Sequence, residues 1–229
     1  MNYFITGTDT GVGKTLISCA LLYAFAAQGK KVVGMKPVAA GCNEDGLNDD
    51  VKKLRAASNV LASLGQINPY SFVQPIAPHI ASHNAGVQIN FERIQESYRE
   101  LSGQADVVIV EGAGGFKVPL NDSQDSVDLV TTLDLPIILV VGVRLGCLNH
   151  ALLSMDAIHA AGLQCAGWVA NVLDENMPAL KENIAALKLR IQAPLLAEVT
   201  FQQHPDAKII SATIDLTLLE KSLLDTAHS

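Results

Sequence analysis

The sequence predicts an α/β domain, doubly wound, with a mainly parallel sheet flanked by helices. Three observations predict it. Short, nearly continuous apolar runs alternate with longer helical segments. Strands look like that when helices cover both faces of a parallel sheet. Four of the five helical segments stop at a glycine, the residue that takes the left-handed turn of a helix end without strain. The lengths are those of successive βαβ units.

In chain order, the expected strands are Tyr3–Thr6, Lys31–Lys36, Val107–Val110, Ile137–Val141, Cys165–Ala170 and Leu195–Val199. The first expected helix, Thr15–Gln28, ends at Gly29. Val51–Leu64 follows Asp49-Asp50 and ends at Gly65, and Phe91–Ser102 follows Asn90 and ends at Gly103. Asn149–Ala161 ends at Gly162, and Pro178–Ile191 opens on a proline suited to a first turn. Asn68–Gly86 carries Pro69, Pro75 and Pro78 without a clean period and reads as a loop-rich insertion. No repeat or low-complexity linker divides the chain, so residues 1–229 read as one domain.

Composition narrows the function. The chain is 49% apolar and 17% charged, which is globular rather than disordered or fibrous. The formal net charge is −7 and no Lys/Arg run is present, which argues against nucleic-acid binding as the main task. The longest unbroken apolar stretch, Leu135 to Val143, is far short of the about 20 residues of a membrane span. Leu16–Cys19 and Ala24–Ala26 look like processing sites, but no positively charged, apolar leader precedes them. Cys19, Cys42, Cys147 and Cys165 form no C-x-x-C pair and fit no zinc spacing. A reduced, cytoplasmic protein is expected.

The first strand runs into Gly7-Thr8-Asp9-Thr10-Gly11-Val12-Gly13-Lys14-Thr15, and a helical pattern follows at once. In a strand–glycine loop–helix unit, backbone N–H groups curl around a phosphate at the positive end of the helix. Lys14 then reaches the β- and γ-phosphates, and Thr15 can hold Mg²⁺. The strict phosphate-loop pattern is missed by one place, because Gly7 is one early and Thr8 stands at its first glycine. The context nevertheless points to a P-loop NTPase-like domain. Partitioning ATPases carry a second lysine in this loop. Here Asp9 occupies that place, which argues against them.

Three further strings sit at strand ends. Lys36 precedes Pro37, which biases it to extended geometry at the carboxyl end of the second strand, where open α/β sheets bind ligands. A solvated lysine ending a strand would look the same. If the first two strands are neighbours, about one strand spacing of 4.8 Å separates the loop from Lys36. Val107–Val110 ends in Glu111 and then Gly112-Ala113-Gly114-Gly115, the form of a second metal-holding strand. Asp50 could add a carboxylate, although from spacing alone it reads better as a helix N-cap shared with Asp49. Leu145–His150 reads as a loop and helix start with Asn149 as cap, where free amides could hold a carboxylate, or as an ordinary βα connection. His79 and His83 are four apart, but the prolines around them make a helix, and so a metal site, a poor expectation. No nucleophile elbow or other sign of covalent catalysis is present.

Taken together, these motifs resemble the dethiobiotin synthetase family, from Tyr3 to about Phe201. The resemblance rests on Gly7–Thr15, Lys36–Gly41, Asn68-Pro69-Tyr70, Pro78-His79-Ile80, Glu111–Gly115, Leu145–Ala151, Gly167–Asn171 and Ala193–Leu196. It implies an ATP-dependent ligase that closes a cyclic urea on 7,8-diaminononanoate with CO₂, through a carbamate and a carbamic-phosphoric anhydride, releasing ADP and phosphate. It also implies that Thr15, Asp50 and Glu111 hold Mg²⁺ and that Lys14 stabilises the transferring phosphoryl group. Thr10 and Lys36 would lie beside the carbamate. The backbone of Gly11, Val12 and Gly13, with Gly114, would face the phosphates. Asn171 would read adenine, with backbone near Val199, Thr200 and Phe201. A homodimer is implied, with Leu145–His150 meeting the substrate's carboxylate tail across the interface. Two positions depart from the family: Gly11 often stands as an acidic residue there, and Ala40 as a serine. Two other classes share the phosphate loop. One is an amidoligase of the cobyric-acid type, whose added glutaminase domain has no room in 229 residues. The other is a nucleotide-dependent regulatory ATPase.

Overall fold

The computed structural model describes residues 1–43 and 46–219. Its centre is a six-stranded, wholly parallel sheet in the order β2-β5-β1-β6-β7-β8. The strands are β1 (Asn2–Gly7), β2 (Val32–Met35), β5 (Val107–Glu111), β6 (Ile137–Val143), β7 (Cys165–Val172) and β8 (Leu195–Val199). All six were legible as apolar runs. The doubly wound, parallel expectation is the fold observed.

Alternation along each strand feeds two cores. Tyr3, Ile5, Val107 and Ile109 face α1 (Lys14–Ala27), which packs with α9 (Ala207–Ser211) and α2 (Asp49–Ala57). Phe4, Val108, Val110 and Leu139 face the other side, covered by α5 (Phe91–Ser102), α6 (Ser126–Leu133), α7 (Cys147–Ala160) and α8 (Leu180–Arg190). Trp168 lies in that second core and is fully buried.

Several boundaries differ from expectation for identifiable reasons. The helix expected at Val51–Leu64 is shorter, because Ser58 and Asn59 leave it to stitch the sheet edge. The Ser58 hydroxyl accepts from the Gly34 N–H, and Asn59 Oδ1 accepts from the Val32 N–H. Gly65 then falls inside α3 (Leu64–Ile67) rather than ending a helix. The N-cap of α2 is Asn48, whose side chain accepts from the Asp50 N–H, so Asp50 sits in the first turn with its carboxylate available. Gly146, not Asn149, caps α7.

The stretch expected to be a loop holds β4 (Tyr70–Phe72), paired parallel with β3 (Val38–Ala40), and α4 (Pro78–Asn84). Pro78 occupies the first turn of α4 instead of breaking it, so the doubted helix under His79 and His83 exists. No cluster of three metal-binding His, Cys, Asp or Glu side chains occurs among the described residues. Helix α6 was not anticipated. It is started by an Asp125–Asp128 capping box rather than by a long apolar period. Among the described residues, no helix is long and apolar enough to cross a membrane.

Candidate active site

The site forms where β1, β5 and β2 reach their carboxyl ends. β1 leads through the glycine loop into α1. Gly13 takes φ 94°, a left-handed geometry that turns the loop into the helix. A Cβ there would lie 2.3 Å from Asn171 Nδ2, so the loop is packed directly on β7. Asn171 lies inside β7 and is buried, and its amide nitrogen donates to the Val12 carbonyl at 2.8 Å. The expected adenine reader therefore supports the phosphate loop with one of its amide donors.

Lys14 is buried, and its Nζ donates to the Asp9 carbonyl at 2.9 Å. Burial, and then the charge of Lys36, push its ammonium down from 10.5 to about 8. The Asp9 carboxylate accepts from the Thr10 N–H at 2.7 Å and pairs with Arg144 at 2.6 Å. At the place of a second loop lysine, this chain thus ties its loop to the end of β6 through an acid. Thr10 is exposed at the rim.

Lys36 follows β2 directly. Its backbone is fixed, because its N–H donates to the Ile67 carbonyl and its carbonyl accepts from Asn68 Nδ2 at 2.7 Å. The Asn68-Pro69-Tyr70 string thus acts as a bracket for Lys36. The lysine is not a solvated strand end. It is 5% exposed, and its Nζ lies 2.5 Å from Glu111 Oε1, 3.0 Å from Asp50 Oδ2 and 3.4 Å from the Gly112 carbonyl. Burial works against its ammonium, but Glu111 and Asp50 outweigh it and hold its pKa above 10.5. The same pairing, with a hydrogen bond from Thr15, outweighs burial at Asp50 and holds its carboxyl below 3.8.

The first two strands are not neighbours. β5 lies between them, and it carries Glu111 at its end. Glu111 is fully buried. Its Oε1 accepts from Lys36 and, at 2.8 Å, from the Thr15 hydroxyl, while its Oε2 is buried with no hydrogen-bond partner. Thr15, Asp50 and Glu111 supply hard oxygen donors, and an orphaned buried carboxylate oxygen is what a hard divalent cation satisfies. These residues fit Mg²⁺.

A pocket of about 300 Å³ is lined by Thr10, Gly11, Gly13, Lys14, Thr15, Lys36, Asp50, Glu111 and Gly114, among others. Gly114 holds φ 64°, and a Cβ on it would approach Thr10 Oγ1 to 3.6 Å. A second pocket of about 650 Å³ adjoins it across Thr15, Leu16 and Lys53. Its far wall is His204–Lys208. Val199 is buried at the end of β8, and Thr200 and Phe201 are exposed just beyond it. His204–Lys208 bear no motif, and nothing in the sequence singles them out as the wall of a pocket. Ala40 ends β3, close in sequence to the bracketed Lys36.

An AAA domain family model matches residues 1–208. The fold resembles the septum site-determining protein MinD of Pyrococcus horikoshii complexed with Mg-ADP, with a TM-score of 0.54 at 18% identity, covering 87% of this chain and 82% of that one. It also resembles the MinC:MinD complex of Aquifex aeolicus, with a TM-score of 0.53 at 15% identity, covering 96% and 89%. Those likenesses bear on the fold alone. The sequence is 56% identical over 220 residues to the ATP-dependent dethiobiotin synthetase BioD of Nitrosospira multiformis, covering 96% of this chain and 97% of that relative. It is 49% identical over 217 residues to the enzyme of the same name from Aromatoleum aromaticum, covering 93% and 96%. At these identities, over nearly the whole of both chains, the chain belongs to the ATP-dependent dethiobiotin synthetase family.

Proposed function

We propose that the chain is an ATP-dependent dethiobiotin synthetase, a ligase that forms a cyclic urea from 7,8-diaminononanoate, CO₂ and ATP. One amine of the substrate adds to CO₂ and loses a proton, giving a carbamate. A carbamate oxygen attacks the γ-phosphorus and ADP leaves. The second amine attacks the carbonyl of the resulting anhydride, phosphate departs, and the five-membered ring closes. The protein forms no covalent bond in this sequence, and its contribution is position and charge.

Lys14, at the start of α1, stabilises charge on the transferring phosphoryl group. The Gly11–Gly13 backbone and Gly114 face the phosphates. Lys36 and Thr10 lie on the carbamate side of the pocket. Thr15, Asp50 and Glu111 would hold Mg²⁺, which when bound neutralises phosphate charge. The adjoining pocket of about 650 Å³, walled by His204–Lys208, gives the nucleoside room. Asn171, which holds the phosphate loop, and the Val199–Phe201 backbone, which leads along the chain toward that wall, would meet its adenine. Leu145–His150 belongs to a homodimer interface. Leu145, just before the Gly146 cap of α7, is 90% exposed, an apolar side chain left for a partner to cover. Four free cysteines are in keeping with a cytoplasmic protein.

One observation carries the reading. Lys14, Lys36 and a fully buried glutamate meet in one pocket on a phosphate loop, in a chain 56% identical to a dethiobiotin synthetase. The test is incubation with diaminononanoate, bicarbonate and MgATP, with mass analysis for the cyclic urea and a count of ADP formed. Product and ADP should appear together and only with the diamine. Equal ATP turnover without it overturns the reading.

A further inference from the structure

Lys36 makes contacts that its proposed place beside the carbamate does not explain. Its ammonium is committed to Glu111 and Asp50, the two carboxylates of the proposed metal set. We infer that Lys36 and the divalent cation are alternative partners of these carboxylates, so that cation binding releases Lys36 toward the substrate. The inference rests on the proposed metal set and adds to it an exchange between the two cations.

Four features lead there. Glu111 is fully buried, and a buried carboxylate without a counter-cation is strongly disfavoured. Lys36 supplies that counter-charge at 2.5 Å. The cation would draw on the same two carboxylates, with the orphaned Glu111 Oε2 as an oxygen already free for it. Thr15 Oγ1 already lies 2.8 Å from the Glu111 oxygen that Lys36 touches, and magnesium–oxygen distances are about 2.0–2.1 Å. An ammonium and a divalent ion on one carboxylate would repel at close range, and water screens that repulsion least at the fully buried Glu111. The third feature is the anchoring of Lys36. Its backbone is pinned by Ile67 and Asn68, so only its flexible four-carbon stem can move. The fourth is the pocket of about 300 Å³ into which that stem can turn, lined also by Thr10, Gly11 and Gly114. Lys14 does not share this behaviour, because its Nζ is held by a backbone carbonyl rather than by either carboxylate.

The consequence is an order built into the site. Before the cation arrives, the charge that would favour the carbamate is bound elsewhere. Arrival of the metal with its nucleotide transfers Glu111 and Asp50 to the metal and presents Lys36 to the carbamate. Carbamate stabilisation is thereby coupled to the presence of the phosphoryl donor.

The test uses Mn²⁺ alone as probe, titrated into the full chain without nucleotide and followed by electron paramagnetic resonance. Lys36→Gln keeps a hydrogen-bond donor and removes the charge. It should bind Mn²⁺ about ten-fold tighter than the parent, or more, because no ammonium has to leave. Glu111→Gln should lose the binding. Melting curves accompany the titration. Lys36→Gln should melt below the parent without metal and recover in Mn²⁺, so a variant that folds poorly still reports. Mn²⁺ affinity of Lys36→Gln equal to or below the parent's, or no recovery of its melting temperature, overturns the exchange. If Glu111→Gln still loses binding in that case, the metal set stands without it. If Glu111→Gln binds Mn²⁺ as the parent does, the metal set falls and the exchange falls with it.

Discussion

Gly13→Ala isolates how the phosphate loop is held. At φ 94° a Cβ strains the backbone, a cost of about 1–2 kcal/mol for an L-residue in the left-handed region. The same Cβ would lie 2.3 Å from Asn171 Nδ2, well inside contact distance, so the amide has to move. Moving it breaks the 2.8 Å bond to the Val12 carbonyl. Leaving a buried polar group unpaired costs about 1–3 kcal/mol. The sum is about 3 kcal/mol, and a chain of this size loses about 2–4 °C of melting temperature per kcal/mol. Gly13→Ala should therefore melt about 6–12 °C below the parent.

The two terms separate in a double-mutant cycle with Asn171→Ala, read by calorimetric melting without nucleotide. Asn171→Ala alone gives up the bond to Val12 and opens space beside Gly13. On that background the added methyl meets no amide, so Gly13→Ala should cost only its backbone share, about 1 kcal/mol. A coupling of about 1–2 kcal/mol is expected. Strict additivity of the two substitutions would refute the account, because it would mean that the methyl and the amide never compete for the same space.

Two other outcomes follow from exposure and burial. Burial pushes the Cys19 thiol up to about 12 and the Cys165 thiol up to about 11, so at pH 8 neither should react with an aromatic disulfide reagent until the chain unfolds; prompt labelling of Cys19 in the native protein would contradict its packing. Sedimentation should give a dimer at assay concentration, and Leu145→Asp should shift it toward monomer with loss of turnover; a fully active monomer would sink the shared-site proposal.

The sequence shows its architecture clearly where burial on two faces leaves long apolar runs, as in Val107–Val110 and Ile137–Val141. It is less legible where tertiary hydrogen bonds decide the local structure. Nothing in the order Ala57-Ser58-Asn59 says that Ser58 and Asn59 will leave the helix to serve the edge of β2. Pro78 could be read as a breaker or as a first-turn residue, and only the packing of α4 on β3 selects the second. Helix α6 is short and depends on Asp125 at its cap, a signal easily lost among the polar residues of a loop.

The site was legible residue by residue but not in its wiring, and the reason is topological. Each chemical group stands at a strand end, which local sequence marks: Lys36 before a proline, Glu111 after four apolar residues, Lys14 after glycines. Which strand ends are neighbours depends on pairings between segments 75 to 106 residues apart, and local pattern carries no record of those. The insertion of β5 between β1 and β2 changes the chemistry of both lysines. It replaces a direct approach of two ammonium groups by an arrangement with Glu111 between them. One lysine then gains two carboxylates and holds its proton more firmly. The other is buried, has only a carbonyl for a partner and has a positive charge nearby, and holds its proton less firmly. Two lysines that differ little in the sequence are thus made opposite in character by burial at one and by the carboxylates of β5 and α2 at the other. Under the proposed function, that difference suits Lys14 to meet an incoming phosphate and Lys36 to give way to a metal.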